Sequence, residues 1–215
     1  MFTIRPGIQK KFLAFSYFLF FINCLVSYKI STKVLYFVIL GSMLTLIYSA
    51  PPFRLKKYTS LNIFLNSIGF SLIFLIGFAS VSDSITPAAL MMAVLFALVF
   101  IPLQIVHQIS HSEADKKEAI MSICNRYGLK IAIFLLNMSL VLLALWSFLI
   151  GAVYHRYINI FYLTSLFCLL FFYSSRRIKN SKKPCHESSV EIRFLLRKIC
   201  VLYGLAMIAI FYFAN

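Results

Sequence analysis

Acidic side chains are scarce in this chain. Its 215 residues hold six aspartates and glutamates against 21 lysines and arginines, and charged residues of both signs make up only 13%. A soluble domain carries about a quarter of its residues as charges, so too few are present to solvate an ordinary protein surface. Cysteine is sparse as well: Cys24, Cys124, Cys168, Cys185 and Cys200 are odd in number and scattered, without a C-x-x-C pair. That excludes a disulfide framework and a thiolate zinc site, and the cysteines read as packing residues or reduced thiols. Four histidines are too few for the metal boxes of a di-iron membrane hydroxylase, despite the HxxxH formed by His107 and His111. No repeat of fixed period and no low-complexity linker divides the chain, so residues 1–215 read as a single membrane domain.

Apolar residues fill the rest: 61% are hydrophobic and 17% aromatic. Lipid must therefore cover much of the surface. A helix crosses the hydrocarbon layer with about 20 apolar residues, and seven candidate runs have their cores near residues 12–27, 34–50, 61–81, 87–106, 129–152, 157–174 and 195–213. None alternates with period two along its length, which excludes a lipid-facing barrel. Helices satisfy their own backbone groups in lipid, so the fold class is all-α, a polytopic bundle of about seven transmembrane helices. The first run follows basic residues as a signal peptide would, but no small-x-small cleavage site follows it and it reads as retained.

The net charge of +15 follows the membrane and does not form a soluble basic face for nucleic acid. With the N-terminus in the cytoplasm, all lysines and arginines except Lys29, Lys33 and Arg156 fall on the cytoplasmic side. That asymmetry orients the chain, with the C-terminus on the opposite side after seven crossings, and favours contact with anionic lipid head groups or a diphosphate. Tyr28, Tyr58, Tyr154 and Tyr157 lie near predicted interfaces and read as an anchoring belt. The long polar break at 174–193 reads as a mobile cytoplasmic loop. Few ionisable residues lie at mid-membrane, which argues against a transporter path.

Between the second and third runs stands YSAPPFRLKKY, residues 48–58. Its adjacent prolines remove two backbone donors and fix φ, so the preceding helix must stop there. Arg54, Lys56 and Lys57 follow at once. A guanidinium fork and two ammonium groups suit phosphate oxygens, while the same charges also serve as a topology signal. The second notable segment is VHQISHSEADKKEAI, residues 106–120, which holds three of the six carboxylates, Glu113, Asp115 and Glu118. If the helix continues past Val106, then His107, His111 and Asp115 recur every four residues on one face. Asp115 could hold a magnesium ion bridging to phosphate, with His111 or Glu113 binding directly or through water. The alternative is a helix end with ordinary solvated charges.

Taken together, the two segments resemble the UbiA-type superfamily of intramembrane prenyltransferases. Tyr48, Pro52, Arg54 and Lys56 match its Tyr-x-x-Pro-x-Arg-x-Lys loop. Residues 106–128 resemble its second aspartate-rich motif, with Asp115 at the second aspartate, His111 in place of the first, Ala119 for the glycine and Ser122 for the threonine, and with Arg126 and Gly128 continuing the pattern. Family members usually have nine helices, and the opening RPGIQKKFLAF is similar to the segment after their first Asn-Asp-x-x-Asp motif. The seven runs would then correspond to helices three to nine, and the first carboxylate cluster is absent from this sequence.

The resemblance implies transfer of a prenyl group from a prenyl diphosphate to a lipid-soluble acceptor, with Mg2+ as cofactor. It assigns catalysis to Asp115, Arg54 and Lys56, substrate binding to Tyr48, Arg54, Lys56, Lys57, Lys116, Lys117 and Arg126, and the metal to His111, Glu113 and Asp115. The prenyl tail would lie in a cavity of phenylalanine, leucine and methionine side chains. With carboxylates from one side only, one weakly held metal is expected, and protonation of His111 would oppose its binding. The other expectation is a non-catalytic remnant or partner subunit that keeps the diphosphate-lipid pocket, or that pairs with a chain supplying the missing carboxylates.

Overall fold

The computed structural model describes residues 6–50, 52–117, 121–180, 194, 196–207 and 210. Every regular element among them is helical: α1 (Pro6–Ile30), α2 (Thr32–Ser49), α3 (Thr59–Val81), α4 (Pro87–Lys117), α5 (Ile123–Val153) and α6 (Ile158–Asn180). Single 3-10 turns stand at Leu55–Lys57 and His155–Tyr157, and residues 196–207 are helical as well. The first six apolar runs thus coincide with helix, as does the described part of the seventh. Five helices are long and apolar enough to cross a membrane, and α1 contributes the shorter apolar stretch Ala14–Ile30. The chain is an integral, multi-pass membrane protein.

Local chemistry sets several boundaries. The Ser31 hydroxyl caps α2 by accepting from the Lys33 backbone N–H at 3.1 Å. Thr86 does the same for α4, accepting from Ala89 N–H at 3.2 Å, and Pro87 stands first in the helix, where its missing donor costs nothing. Asp83 is exposed in the loop before that cap.

Consecutive helices fold back on one another, so the principal packing is between chain neighbours. The tightest core lies where α4, α5 and α6 meet residues 196–207, built on Leu95, Ile109, Leu136, Leu143, Phe167 and Met207. Between α2 and α3 the buried apolar cluster is smaller, formed by Val34, Val38 and Ala79. Hydrophobic burial provides little drive for helix association inside lipid, and interhelical hydrogen bonds of roughly 0.6–2 kcal/mol help fix the packing. Trp146, whose partner is not evident from sequence, donates its indole N–H to Met91 O on α4 at 3.0 Å. Ser71 binds Ala93 O. Ser175 donates to Asn137 Oδ1 at 3.0 Å, and Thr164 and Tyr203 share a buried hydrogen bond at 2.9 Å.

The structure corrects three sequence expectations. Residues 174–180 are the last turns of α6, whereas a loop was expected from Ser174. Ser174 and Ser175 return their hydroxyls to the carbonyls of Leu170 and Phe172, and the Arg176 guanidinium lies 4.8 Å from the Phe172 ring centroid, so these polar side chains are satisfied on the helix. The remainder of that expected loop, 181–193, lies outside the described residues. Tyr157 is only 4% exposed and belongs to the main core, so it is no interfacial anchor. Finally, α5 begins at Ile123, before the apolar run proper, with a break at Gly128.

Candidate functional site

The proline pair ends α2 as its chemistry requires. Ala50 N–H still bonds back to Leu46 O at 2.7 Å, and the chain then turns so that Arg54 N–H reaches Ala50 O at 2.9 Å. Arg54 itself sits at φ 41°, ψ 50°, the one non-glycine residue with positive φ among the described residues. That left-handed conformation costs a side-chain-bearing residue roughly 1–2 kcal/mol and is typically held only where the surroundings impose it. The turn Leu55–Lys57 follows at once, with Lys57 N–H on Arg54 O at 3.2 Å. Arg54, Lys56 and Lys57 are all exposed from this compact loop.

Beneath the loop lies a polar network that the sequence reading missed. The Tyr48 hydroxyl donates to Asn62 Oδ1 at 3.3 Å, while Asn66 Nδ2 donates to Tyr48 Oη at 3.3 Å and to Asn62 Oδ1 at 2.7 Å. Asn62 Nδ2 also lies 3.4 Å from Lys56 O. The phenol of the motif is therefore oriented by two carboxamides one helical turn apart on α3. A signal was present: asparagines at i and i+4 in an apolar run are costly in lipid unless they find a partner.

The second motif is a helix, a loop and a helix folded on itself. α4 continues without interruption to Lys117, so His107, His111 and Asp115 do share a face, and the two imidazoles stand 4.5 Å apart between centroids. Gln108 stays buried because its Oε1 accepts the Ile123 backbone N–H at 3.0 Å. Asn125 Nδ2 donates to Ser112 O at 3.0 Å, and Ser122 caps α5 through Asn125 N–H at 3.3 Å. Lys116 and Arg126 are exposed at this end, and Arg126 lies 5.2 Å from the Tyr127 ring centroid. The side chain of Lys117 lies outside the described residues.

A hydrogen bond joins the regions of the two motifs. Thr59, buried at the first turn of α3, donates its hydroxyl to Met121 O in the loop between α4 and α5. The end of α2, the start of α3, the end of α4 and the start of α5 therefore meet at one end of the bundle. Arg54, Lys56 and Lys57 lie just before Thr59 in the chain, and His111, Asp115 and Lys116 lie on the helix that ends just before Met121.

Magnesium prefers six oxygen ligands, retains waters, and is commonly held by one or two carboxylates together with substrate phosphates. Among the described residues no three histidine, cysteine, aspartate or glutamate side chains converge to hold a metal. Glu113 is exposed and Asp115 half-buried, and residues two apart on a helix face away from each other. These donors do not build a protein cage. Such donors would suit an ion shared with phosphate oxygens, for which Asp115 and, on the same helical face, His111 are the candidates.

A cavity of about 730 Å3 opens between α1, α2 and α3. Phe20, Phe70 and several leucines line it, as an apolar pocket would have, but Tyr48, Asn23 and Asn66 are also on its wall.

Comparison with known proteins places residues 8–213 in a match to the UbiA prenyltransferase family. The chain matches no curated protein and no solved structure significantly.

Proposed function

Because the chain belongs to the UbiA prenyltransferase family, we propose that it transfers a prenyl group from a prenyl diphosphate to a lipid-soluble acceptor at the bundle end where the two motif loops meet. The Thr59 to Met121 strap is the observation that supports this reading, because it ties the start of α3, next to the cationic loop, to the loop that follows α4. Arg54 and Lys56 hold the diphosphate, with Lys57, Lys116, Lys117 and Arg126 adding positive charge around it. Asp115 and His111 are the residues that would hold magnesium. A bound magnesium supplies Lewis-acid stabilisation of the departing diphosphate. Tyr48, fixed by Asn62 and Asn66, presents its oxygen at the boundary between the polar head and the apolar interior. Once the diphosphate leaves, the acceptor attacks the allylic carbon, the new bond forms away from bulk water, and the proton that the acceptor loses is taken up by the departing diphosphate.

The direct test uses the purified protein in nanodiscs with magnesium, a labelled prenyl diphosphate and a membrane lipid extract as the acceptor source. The expected result is label in a new organic-soluble product with stoichiometric diphosphate release. A second reading is favoured by the lack of a converged metal group among the described residues: a diphosphate-lipid binding subunit without turnover. Saturable binding of prenyl diphosphate with no release of diphosphate would establish that reading and overturn catalysis by this chain alone.

The same proposal puts the motif loops and the N-terminus on the cytoplasmic side, following the excess of lysine and arginine there. In a background without native cysteines, a membrane-impermeant maleimide is expected to label Lys56→Cys and Asp83→Cys from opposite faces. Labelling of both from one face would overturn the orientation.

A further inference from the structure

The cavity between α1, α2 and α3 has a chemical character that narrows what it can bind. It contacts Val38 to Tyr48 on α2 and Leu65 to Ile76 on α3, spans of eleven and twelve residues and so about 15 Å of depth at 1.5 Å per residue. That is half of a hydrocarbon layer of about 30 Å. One end reaches Tyr48, six residues before Arg54. The other extends to the level of Asn23, at the centre of the apolar stretch Ala14–Ile30.

No charged side chain lines this space among the described residues. Its polar groups are neutral, and most are already engaged. Ser42 and Thr45 return their hydroxyls to Val38 O at 2.8 Å and Gly41 O at 2.9 Å, and Tyr48 and Asn66 are bonded within the network described above. Asn23 has no hydrogen-bond partner among the described residues. Asn23 is exposed on α1, and a carboxamide at the apolar mid-span gains a hydrogen bond when a ligand hydroxyl or carbonyl reaches it. A carboxylate in the same place would be an unpaired charge in a low-dielectric site.

We propose that this cavity binds an uncharged amphiphile bearing a hydroxyl or carbonyl group, hydrogen-bonded by Asn23 and seated above the open backbone of Gly69. Within the prenyl-transfer reading, on which only this last role rests, the amphiphile is the acceptor: a neutral alcohol, phenol or quinol-like lipid and not an anionic one. Its apolar part runs along α2 and α3, and in this role it carries a second, nucleophilic oxygen or carbon toward the Tyr48 end, distinct from the group that Asn23 holds. Gly69 keeps the space open. A Cβ built there meets nothing within 4 Å, so a larger side chain enters the cavity instead of clashing with a helix.

The test uses the intact protein in nanodiscs with a long-chain alcohol carrying a mid-chain diazirine, and with the matching fatty acid, both mapped by mass spectrometry after photolysis. The alcohol is expected to label α1 to α3 saturably, at a concentration at least ten-fold lower than the carboxylate. Asn23→Leu should weaken the alcohol about 3- to 10-fold, the loss of one neutral hydrogen bond, and leave the carboxylate unchanged. Gly69→Leu should abolish labelling while Gly69→Ala retains it. Equal labelling by acid and alcohol, labelling that survives Gly69→Leu, or indifference to Asn23→Leu would overturn the assignment. So would crosslinking of these helices to a second copy of the chain in place of the probe. Alcohol binding without any prenyl transfer would sink the catalytic reading and leave the pocket assignment standing. Transfer without alcohol binding would do the reverse.

Discussion

Alanine at Asp115 or at Arg54 is expected to lower prenyl transfer by about 10²- to 10³-fold, the usual loss when one preorganised electrostatic group is taken from a site that stabilises developing charge. Membrane insertion and helix content should not change. Asp115 lies near the end of α4, well past Pro102 and the apolar part of the helix, and Arg54 is exposed on a turn, so neither supports the core. The two losses should differ in kind. Activity of Asp115→Ala should recover in part as magnesium is raised, because a weakened metal site is refilled by mass action. Arg54→Ala should not respond. Arg54 also permits a separation of strain from chemistry, since alanine keeps the left-handed backbone penalty at φ 41° while glycine removes it. Arg54→Gly should therefore melt no lower than Arg54→Ala and yet be equally inactive. Wild-type turnover in both alanine variants would sink the assignment of this site, and loss of insertion in either would reassign that residue to a structural role.

The membrane fold was legible because lipid leaves few choices. Seven apolar runs separated by short polar breaks specify helices whether or not any tertiary contact is known. What composition could not place were the helix ends. The run in α4 loses its apolar character at His107, and yet the helix continues for three further turns to Lys117. The reason is partly tertiary and partly local: Gln108 is satisfied by Ile123 on α5, while Ser110 and Ser112 bond back within α4 to His107 O at 2.8 Å and Ile109 O at 2.9 Å. The same effect extends α6 through Ser174 and Ser175. Polar residues do not stop a helix whose fold gives their side chains partners.

The candidate site divides along a similar line. The proline pair and the cations of YSAPPFRLKKY announce their own turn, since both the stop and the charge are local properties. Thr59 and Met121 are 62 residues apart and Tyr48 and Asn66 are 18 apart, so neither the strap nor the network has a local signature. Resemblance supplied the residues of the two motifs but not their supports. In physical terms, Asn62 and Asn66 were the detectable part, because two carboxamides on one face of an apolar helix require partners. The neutral cavity was not detectable, because Gly69 and Asn23 acquire meaning only when α1, α2 and α3 are packed together.

The support with the largest expected effect on stability is Gly128. Its φ of 81° and ψ of 162° lie in a region that essentially only glycine populates, and the break it makes separates Ile123 to Tyr127 from the rest of α5. Space is not the constraint, since an added Cβ meets nothing within 4 Å. Gly128→Ala must therefore either bear a backbone strain of roughly 1–3 kcal/mol or straighten the helix. Straightening swings residues 121–127 away from α4, breaking the Gln108 to Ile123 bond and the Thr59 to Met121 strap together. The expected result is a melting temperature lower by several degrees and transfer lost to a degree comparable with Arg54→Ala, although no cation or carboxylate has been touched. A double-mutant cycle with Thr59→Val separates the two routes. If the helix straightens, the strap is already broken and Thr59→Val costs little more on top of Gly128→Ala, whereas by itself it removes one part-buried hydrogen bond at about 0.5–1.5 kcal/mol. Strictly additive losses would mean that the break and the strap act independently, and wild-type melting with full turnover in Gly128→Ala would show that the kink does not position the second motif.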